Sequence, residues 1–435
     1  MDIIRTEILP GVSLSCLKTD KFKNGCLSLT LLTQHTRETA AQNAVIPYVL
    51  RRGTSSHPDM SALSAELDGL YGTHIEPVVR RIGEIQCVGF YSSFPDRRYL
   101  PEGADVIGSA ASLMCRLLLS PNTRGGLLLT SYVDSEKAKL LELIRGRIND
   151  KRSYSLSRLI EQMCCYEDYA TPRFGTEDEA ESIHYQKLTK QYRRLLAESP
   201  VELFYCGSED AEYIAGLLTD SLSGIPRGQL NYDIGTDIRM NAVEDEVRYF
   251  EERLAVTQSK LVIGYRLGDC MDDFSLPAIY VFNAVFGGCV TSKLFENVRE
   301  KLSLAYYASS AVDTHKGIMV VSCGIDEDKY DDARAEIEKQ LDAVRSGDVT
   351  PEELTAARNS VSSDLRAVMD SQGDLEGFYL ANAIDGLDID PDELAELVDE
   401  VTLDDVIGIA RSVVCDAVYF LAGNGEEDTD EYDET

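Results

Sequence analysis

Histidines, cysteines and short glycine-framed motifs are where this chain would carry chemistry, and their spacing is the first thing to test. A catalytic zinc wants three protein ligands and one open position, often with two histidines one helical turn apart. His35, His57, His74, His184 and His315 are each isolated, with no H-x-x-H or H-x₃-H pair and no Cys/His cluster. His57 and His74 could meet only through the fold, so every histidine is read as a solvated or hydrogen-bonded surface residue. Of eleven cysteines only Cys164 and Cys165 are adjacent, and no C-x-x-C occurs. An odd, scattered set offers no closed disulfide framework, so the thiols are read as reduced core or surface residues. The chain also lacks a G-x-S-x-G elbow, a Walker A loop and a G-x-G-x-x-G turn after a strand. Acyl transfer, nucleotide hydrolysis and dinucleotide chemistry lose their usual machinery with them.

The elements that would position such residues are spelled out twice. Ser28-Leu29-Thr30-Leu31 stands 234 residues (262 − 28) before Val262-Ile263-Gly264-Tyr265, each on an apolar run after a Lys-containing turn. Gly53 and Gly287 each close an apolar helical run, again 234 apart (287 − 53), and Tyr71 and Gly83 bracket a strand as Tyr306 and Gly317 do. A repeat of that length exceeds a solenoid unit and implies two domains of one fold. Residues 12–33 read as two strands joined at Lys21–Gly25. Residues 37–52 read as a helix on Ala41, Val45, Ile46, Val49 and Leu50, kinked at or beginning near Pro47. A helix over 61–71, strands at Ile75–Val79 and Ile85–Phe94, and helices near 103–119, 134–148 and 155–166 follow. Val201–Cys206 reads as a strand stopped by Gly207. The second half repeats strand (253–266), helices (275–287, 291–301) and hairpin (304–325), and Val418–Ala422 echoes the strand before Gly207. Thr350-Pro351-Glu352-Glu353, Asp390-Pro391-Asp392-Glu393 and Thr402 with Asp405 mark helix starts by their capping residues. The pattern is α+β, with antiparallel strands and several helices in each half. The domains are taken as 1–225 and 251–424, joined by a polar linker at 226–250 and followed by an acidic tail at 425–435 that is expected to be disordered.

The run Arg299-Glu300-Lys301-Leu302-Ser303-Leu304-Ala305-Tyr306, preceded by Phe282-Asn283-Ala284-Val285-Phe286-Gly287-Gly288, closely resembles the C-terminal domain signature of the pitrilysin/insulinase family, which includes the mitochondrial processing peptidases. The duplication and the order of elements resemble that family over nearly the whole chain. Asn149-Asp150-Lys151, Tyr154 and Leu70-Tyr71-Gly72 resemble a bacterial subgroup of inactive homologues. The resemblance implies two homologous α+β domains closing like a clamshell around an extended peptide. It also implies a metal site, H-x-x-E-H, on the helix that closes at Gly53-Thr54. Aligned there, the three positions hold Ala44, Pro47 and Tyr48, so both histidine ligands and the general base are missing. The third ligand, a downstream Glu, is expected between Glu136 and Glu142, with Glu142 the nearest candidate. Arg299 and Tyr306 match family positions that grip the peptide from the second domain. A planar five-donor guanidinium and a phenol on a rigid arm suit that task.

Bulk properties narrow the partners. A net charge of −33 argues against nucleic acid and could draw in basic peptides. No stretch of 18 apolar residues or leader-like start is present, so no membrane association and a cytoplasmic location are expected. Losing the metal ligands while keeping Arg299 and Tyr306 points to a non-catalytic subunit of a heterodimeric zinc peptidase. On that reading the zinc sits in the partner chain, and this chain has no cofactor of its own. A stand-alone or homodimeric peptide-binding scaffold is the alternative, and a peptidase with an unrecognised site is the third possibility.

Overall fold

A computed structural model describes residues 3–268 and 275–424; the acidic segment 425–435 lies outside them. The strands in chain order are β1 (Ile3–Leu9), β2 (Val12–Lys18), β3 (Asn24–Gln34), β4 (His74–Ile82), β5 (Ile85–Pro95), β6 (Thr123–Arg124), β7 (Leu127–Leu128), β8 (Val201–Gly207), β9 (Arg248–Leu254), β10 (Ser259–Arg266), β11 (Tyr307–Asp313), β12 (Ile318–Ile325) and β13 (Val414–Gly423). The α-helices are α1 (Ala40–Leu50), α2 (Met60–Gly69), α3 (Val106–Leu119), α4 (Thr130–Gly146), α5 (Lys151–Met163), α6 (Glu177–Glu181), α7 (Tyr185–Glu198) and α8 (Ala211–Leu222). After them come α9 (Leu276–Asn283), α10 (Tyr330–Ser346), α11 (Pro351–Val368), α12 (Gln372–Asp385), α13 (Pro391–Glu400) and α14 (Leu403–Ser412).

Two compact units result, and neither is one stretch of sequence. The first takes residues 1–145, 171–235 and 371–388, and the second takes 146–170, 236–370 and 389 onward. Each sequence half therefore gives one helix to the other unit: α5 belongs to the second, α12 to the first. The contiguous reading of the domains does not contain this exchange.

The first unit holds a six-stranded sheet in the order β1-β2-β8-β3-β5-β4, and the second a five-stranded sheet in the order β11-β12-β10-β13-β9. Reversed, the second order is β9-β13-β10-β12-β11, which maps onto β2-β8-β3-β5-β4 strand for strand. The one parallel contact falls in the same place in both, β2 with β8 and β9 with β13. Gly83 and Gly317, the echoing glycines before β5 and β12, have φ of +53° and +68°, a region that glycine enters without a Cβ penalty. The duplication read from the sequence is thus a duplication of topology, with β1 as an addition to the first sheet.

Strand alternation gives each sheet two apolar faces. In the first unit Leu203 and Tyr205 turn into the main core with α1, α3, α7 and α8. On the opposite face Leu32, Ile85 and Cys87 pack with Leu380 of α12, and Phe204 stacks on Tyr379 at 6.0 Å. In the second unit Leu261, Ile263 and Tyr265 face the main core, while Val262, Ala417, Tyr419 and Leu421 pack with Leu159 and Met163 of α5. The two exchanged helices thus do the same job, each covering the second face of a sheet.

A buried charge cluster pins the chain after α5. Arg266 bonds Glu167 at 2.7 Å and Asp416 at 2.9 Å, Lys316 reaches Glu167 at 2.7 Å, and Arg248 reaches Asp416 at 2.5 Å. Burial alone would raise Glu167, but the bonds from Arg266 and Lys316 outweigh it and hold the carboxyl below its ordinary value.

Candidate functional site

Helix α1, AAQNAVIPYVL, is buried along its whole length except at Tyr48. A helix that is apolar all round must be packed on every side, and this one touches β4, β5, α3, α6 and α7. It continues through Pro47 rather than beginning there, at the cost of the N–H that Asn43 O would otherwise accept. Thr39, at its start, makes no side-chain cap. Glu179 of α6 caps it instead, with Oε1 accepting the N–H of Ala41 at 2.8 Å and of Gln42 at 3.4 Å. Burial pushes that carboxyl up to about 7 against the pull of the two N–H groups. A buried amide chain locks the helix sideways. Asn43 Nδ2 donates to Gln86 Oε1 at 3.0 Å, and Gln191 Nε2 donates to Asn43 Oδ1 at 2.8 Å.

On this helix the three positions implied for a metal site carry a methyl group, a pyrrolidine ring and a phenol. Ala44 is fully buried and Pro47 is buried, while Tyr48 is 37% exposed. Burial raises the Tyr48 phenol, Arg173 opposes it, and Glu136 and Glu76 push the same way as burial, so the ring keeps its proton. Glu142 is exposed on α4. The acid that α4 turns inward is Glu136, 5% exposed, with Oε1 2.6 Å from Arg52 and 2.9 Å from Lys139. Two cations already hold its charge. These residues do not fit zinc, which needs imidazole, thiolate or free carboxylate donors.

His57 sits in its own turn, with Nδ1 3.3 Å from Thr54 Oγ1 and Nε2 3.7 Å from Glu66, and His74 is exposed at the start of β4. His184 caps α7 by accepting the N–H of Lys187 at 3.4 Å. His35 corrects the surface reading: it is fully buried, with Nε2 2.9 Å from Thr171 O, and burial lowers it to about 4. Among the described residues no three His, Cys, Asp or Glu side chains converge as a metal would require. Cys164 is buried and raised to about 12 by desolvation, whereas Cys165 is exposed.

In the second unit the segment after α9 departs from the α-helical pattern. Ala284–Gly288 and Leu294–Lys301 are π-helical; Leu302 N donates to Asn297 O five residues back at 3.2 Å. Single π turns recur at functional positions. Gly287 lies so close to β11 that a Cβ there would be 2.7 Å from the backbone N of Ser310, which accounts for a glycine at the end of this apolar run. Arg299, on the second π segment, keeps 43% of its side chain exposed; its guanidinium lies 4.8 Å from the Phe295 ring and 3.5 Å from Glu300. Tyr306, just before β11, is 59% exposed and donates to Asp326 Oδ1 at 3.0 Å. That bond raises the phenol, which therefore stays a donor. Neither side chain is absorbed into the core.

Known proteins share this architecture. The peptidase M16 inactive domain matches residues 182–361. The chain is 30% identical over 415 residues to the "Probable inactive metalloprotease YmfF" of Bacillus subtilis (strain 168), covering 95% of this chain and 96% of that protein. Among solved structures, a conserved protein from Enterococcus faecalis V583 superposes with a TM-score of 0.88 at 26% identity, over 98% of this chain and 100% of the other. The peptidase M16 inactive domain of Pseudomonas fluorescens gives 0.78 at 14% identity, over 98% and 100%, which speaks for the fold alone.

Proposed function

From the premise that this chain belongs to the peptidase M16 (pitrilysin/insulinase) family and is one of its inactive homologues, we propose that it is the non-catalytic partner of a zinc-bearing sister chain. Its part is to lend peptide-binding surface to the sister's active site. The observation that carries this reading is an asymmetry of loss. The metal positions hold Ala44, Pro47 and Tyr48, with Glu136 neutralised by Arg52 and Lys139, whereas the Arg299 and Tyr306 side chains remain exposed at the surface. Strand β4 adds support. It pairs only with β5 among the described strands, which makes it a sheet edge of the kind an extended peptide joins, with the Ile75 carbonyl already held by Arg51. A strongly acidic surface favours basic peptides at long range.

Affinity purification of this chain from its source cells is expected to bring down a sister chain bearing H-x-x-E-H. Mixed, the two should hydrolyse peptides in a zinc-dependent way that neither achieves alone. Arg299→Ala should raise the KM of the pair several-fold and change kcat less, since the side chain holds peptide rather than reacting atoms. A reconstituted pair without zinc-dependent hydrolysis overturns the proposal. Light scattering that shows a stable homodimer indifferent to the sister chain moves the function to a peptide-binding scaffold. Stoichiometric zinc in the purified chain alone would revive an independent peptidase.

A further inference from the structure

Cys26 and Cys206 are direct partners across the antiparallel β3–β8 ladder, though 180 residues (206 − 26) separate them in sequence. Directly opposed residues in such a ladder have Cα atoms about 4.5–5.5 Å apart, inside the roughly 4.4–6.8 Å window of a disulfide. Opposed residues also point to the same face, so the two thiols share one environment. Both are fully buried free thiols. They touch electrostatically as well. The Cys26 thiol donates toward Cys206, which lowers Cys206 against the effect of its burial and raises Cys26. Two opposed thiols on one face supply the attacking and the resolving sulfur that sequential exchange requires.

What lies over the pair is the first turn of α12. Gln372 Nε2 donates to Asn24 O at 3.0 Å and to Cys206 O at 3.1 Å. Gln372 itself is half-buried. Fraying of one helical turn would give a small oxidant access without opening the main core, which is on the other face of the sheet. Among the described residues the other buried thiols lack this arrangement: Cys115, for one, lies on α3, and Cys87 pairs with Leu32 on β3.

We infer that Cys26 and Cys206 form a built-in disulfide site, closed by exchange with a low-molecular-weight disulfide and opened by thiols. The Cys206 thiolate attacks one sulfur of the oxidant RSSR; that S–S bond breaks, and RS⁻ leaves with a proton. Cys26 then loses its proton and attacks the Cys206 sulfur of the mixed disulfide, expelling a second RSH. Two protein thiols lose two hydrogens, and RSSR becomes two RSH. The product fastens β3 to β8 beneath α12, closing a long loop of chain, which constrains the unfolded state.

Incubation of the whole chain with glutathione disulfide, followed by alkylation, proteolysis and mass spectrometry, reads the site directly. The expected result is one linked peptide pair, Cys26 with Cys206, lighter by two hydrogens and lacking both alkyl adducts, while Cys115 remains alkylated. Gln372→Ala is expected to speed the linkage several-fold without altering the endpoint. Cys206→Ser should abolish it, and Cys115→Ser should leave it intact. The same chain refolded from denaturant in a glutathione redox buffer removes any barrier of access. If Cys26 and Cys206 are both alkylated after that treatment, or are linked to other cysteines, the assignment is wrong.

Discussion

Glu179 and His35 show how single buried groups set the pH response of the first unit. Glu179 is raised to about 7 from an ordinary 4.5, so the folded state binds its proton more tightly than the unfolded state does. Its contribution therefore falls as pH climbs from 4.5 to 7, by about 3 kcal/mol at most. His35 works the other way. Lowered to about 4 from 6.5, it is neutral when folded, and stability is lost as pH falls from 6.5 to 4 because the unfolded chain takes up the proton. Glu179→Gln keeps an oxygen to accept the α1 N–H groups but removes the charge. Denaturation curves are expected to show the variant matching the parent near pH 4 and exceeding it above pH 7, with a slope between that rises with pH. Parallel curves would show that Glu179 does not titrate as described. Ser303 makes a separate point. Its φ of +49° costs a side-chain-bearing residue about 1–2 kcal/mol, so Ser303→Gly should stabilise the chain by about 1 kcal/mol in urea unfolding.

At the level of elements, the exchanged helices depend on close approach. Gly264 of β10 faces α5, and a Cβ there would lie 2.4 Å from Met163 Sδ and 3.2 Å from a Leu159 methyl. Gly264→Val is expected to cost about 1–3 kcal/mol by overpacking. Adding Met163→Ala should recover part of that loss, since the two sites share one contact. Additive losses in the double variant would place the strain elsewhere. The capping boxes at Thr350, Asp390 and Thr402 are all formed, so local side-chain chemistry fixes those starts as the sequence reads. The π-helical segments were not legible that way: an apolar spacing of three and four residues fits an α-helix too, and the close approach of Gly287 to β11 is a tertiary contact. Glu136 rather than Glu142 turns inward for a similar reason. Only the packed position of α4 decides which of two acids six residues apart meets Arg52.

For the molecule as a whole, the exchange of α5 and α12 makes the sequence halves incomplete. Residues 1–235 lack α12, so Leu32, Ile85, Cys87 and Phe204 lose their cover; residues 236–435 lack α5, so Val262, Tyr419 and Leu421 lose theirs. Each fully buried apolar side chain is worth about 1.5–3 kcal/mol, and a domain's net stability is only about 5–15 kcal/mol. Expressed separately, each half is expected to be insoluble or loosely packed, with co-expression restoring a folded product. Two halves that each melt cooperatively alone would contradict this. The buried group Glu167–Arg266–Lys316–Asp416 acts in the same direction, because losing residues 146–170 would strand Arg266 and Lys316 without Glu167.

The order of residues alone determined the α+β character and the repeated strand–helix–hairpin plan, which follow from periodicity and capping acting over a few neighbours; only the family resemblance implies that Ala44, Pro47 and Tyr48 stand where a metal site would be. Tertiary structure alone decided that α5 and α12 change units, that His35 is core rather than surface, and that Cys26 meets Cys206. These are contacts between segments 100 residues or more apart, or the burial they produce, and complementary packing selects them where no short-range signal can.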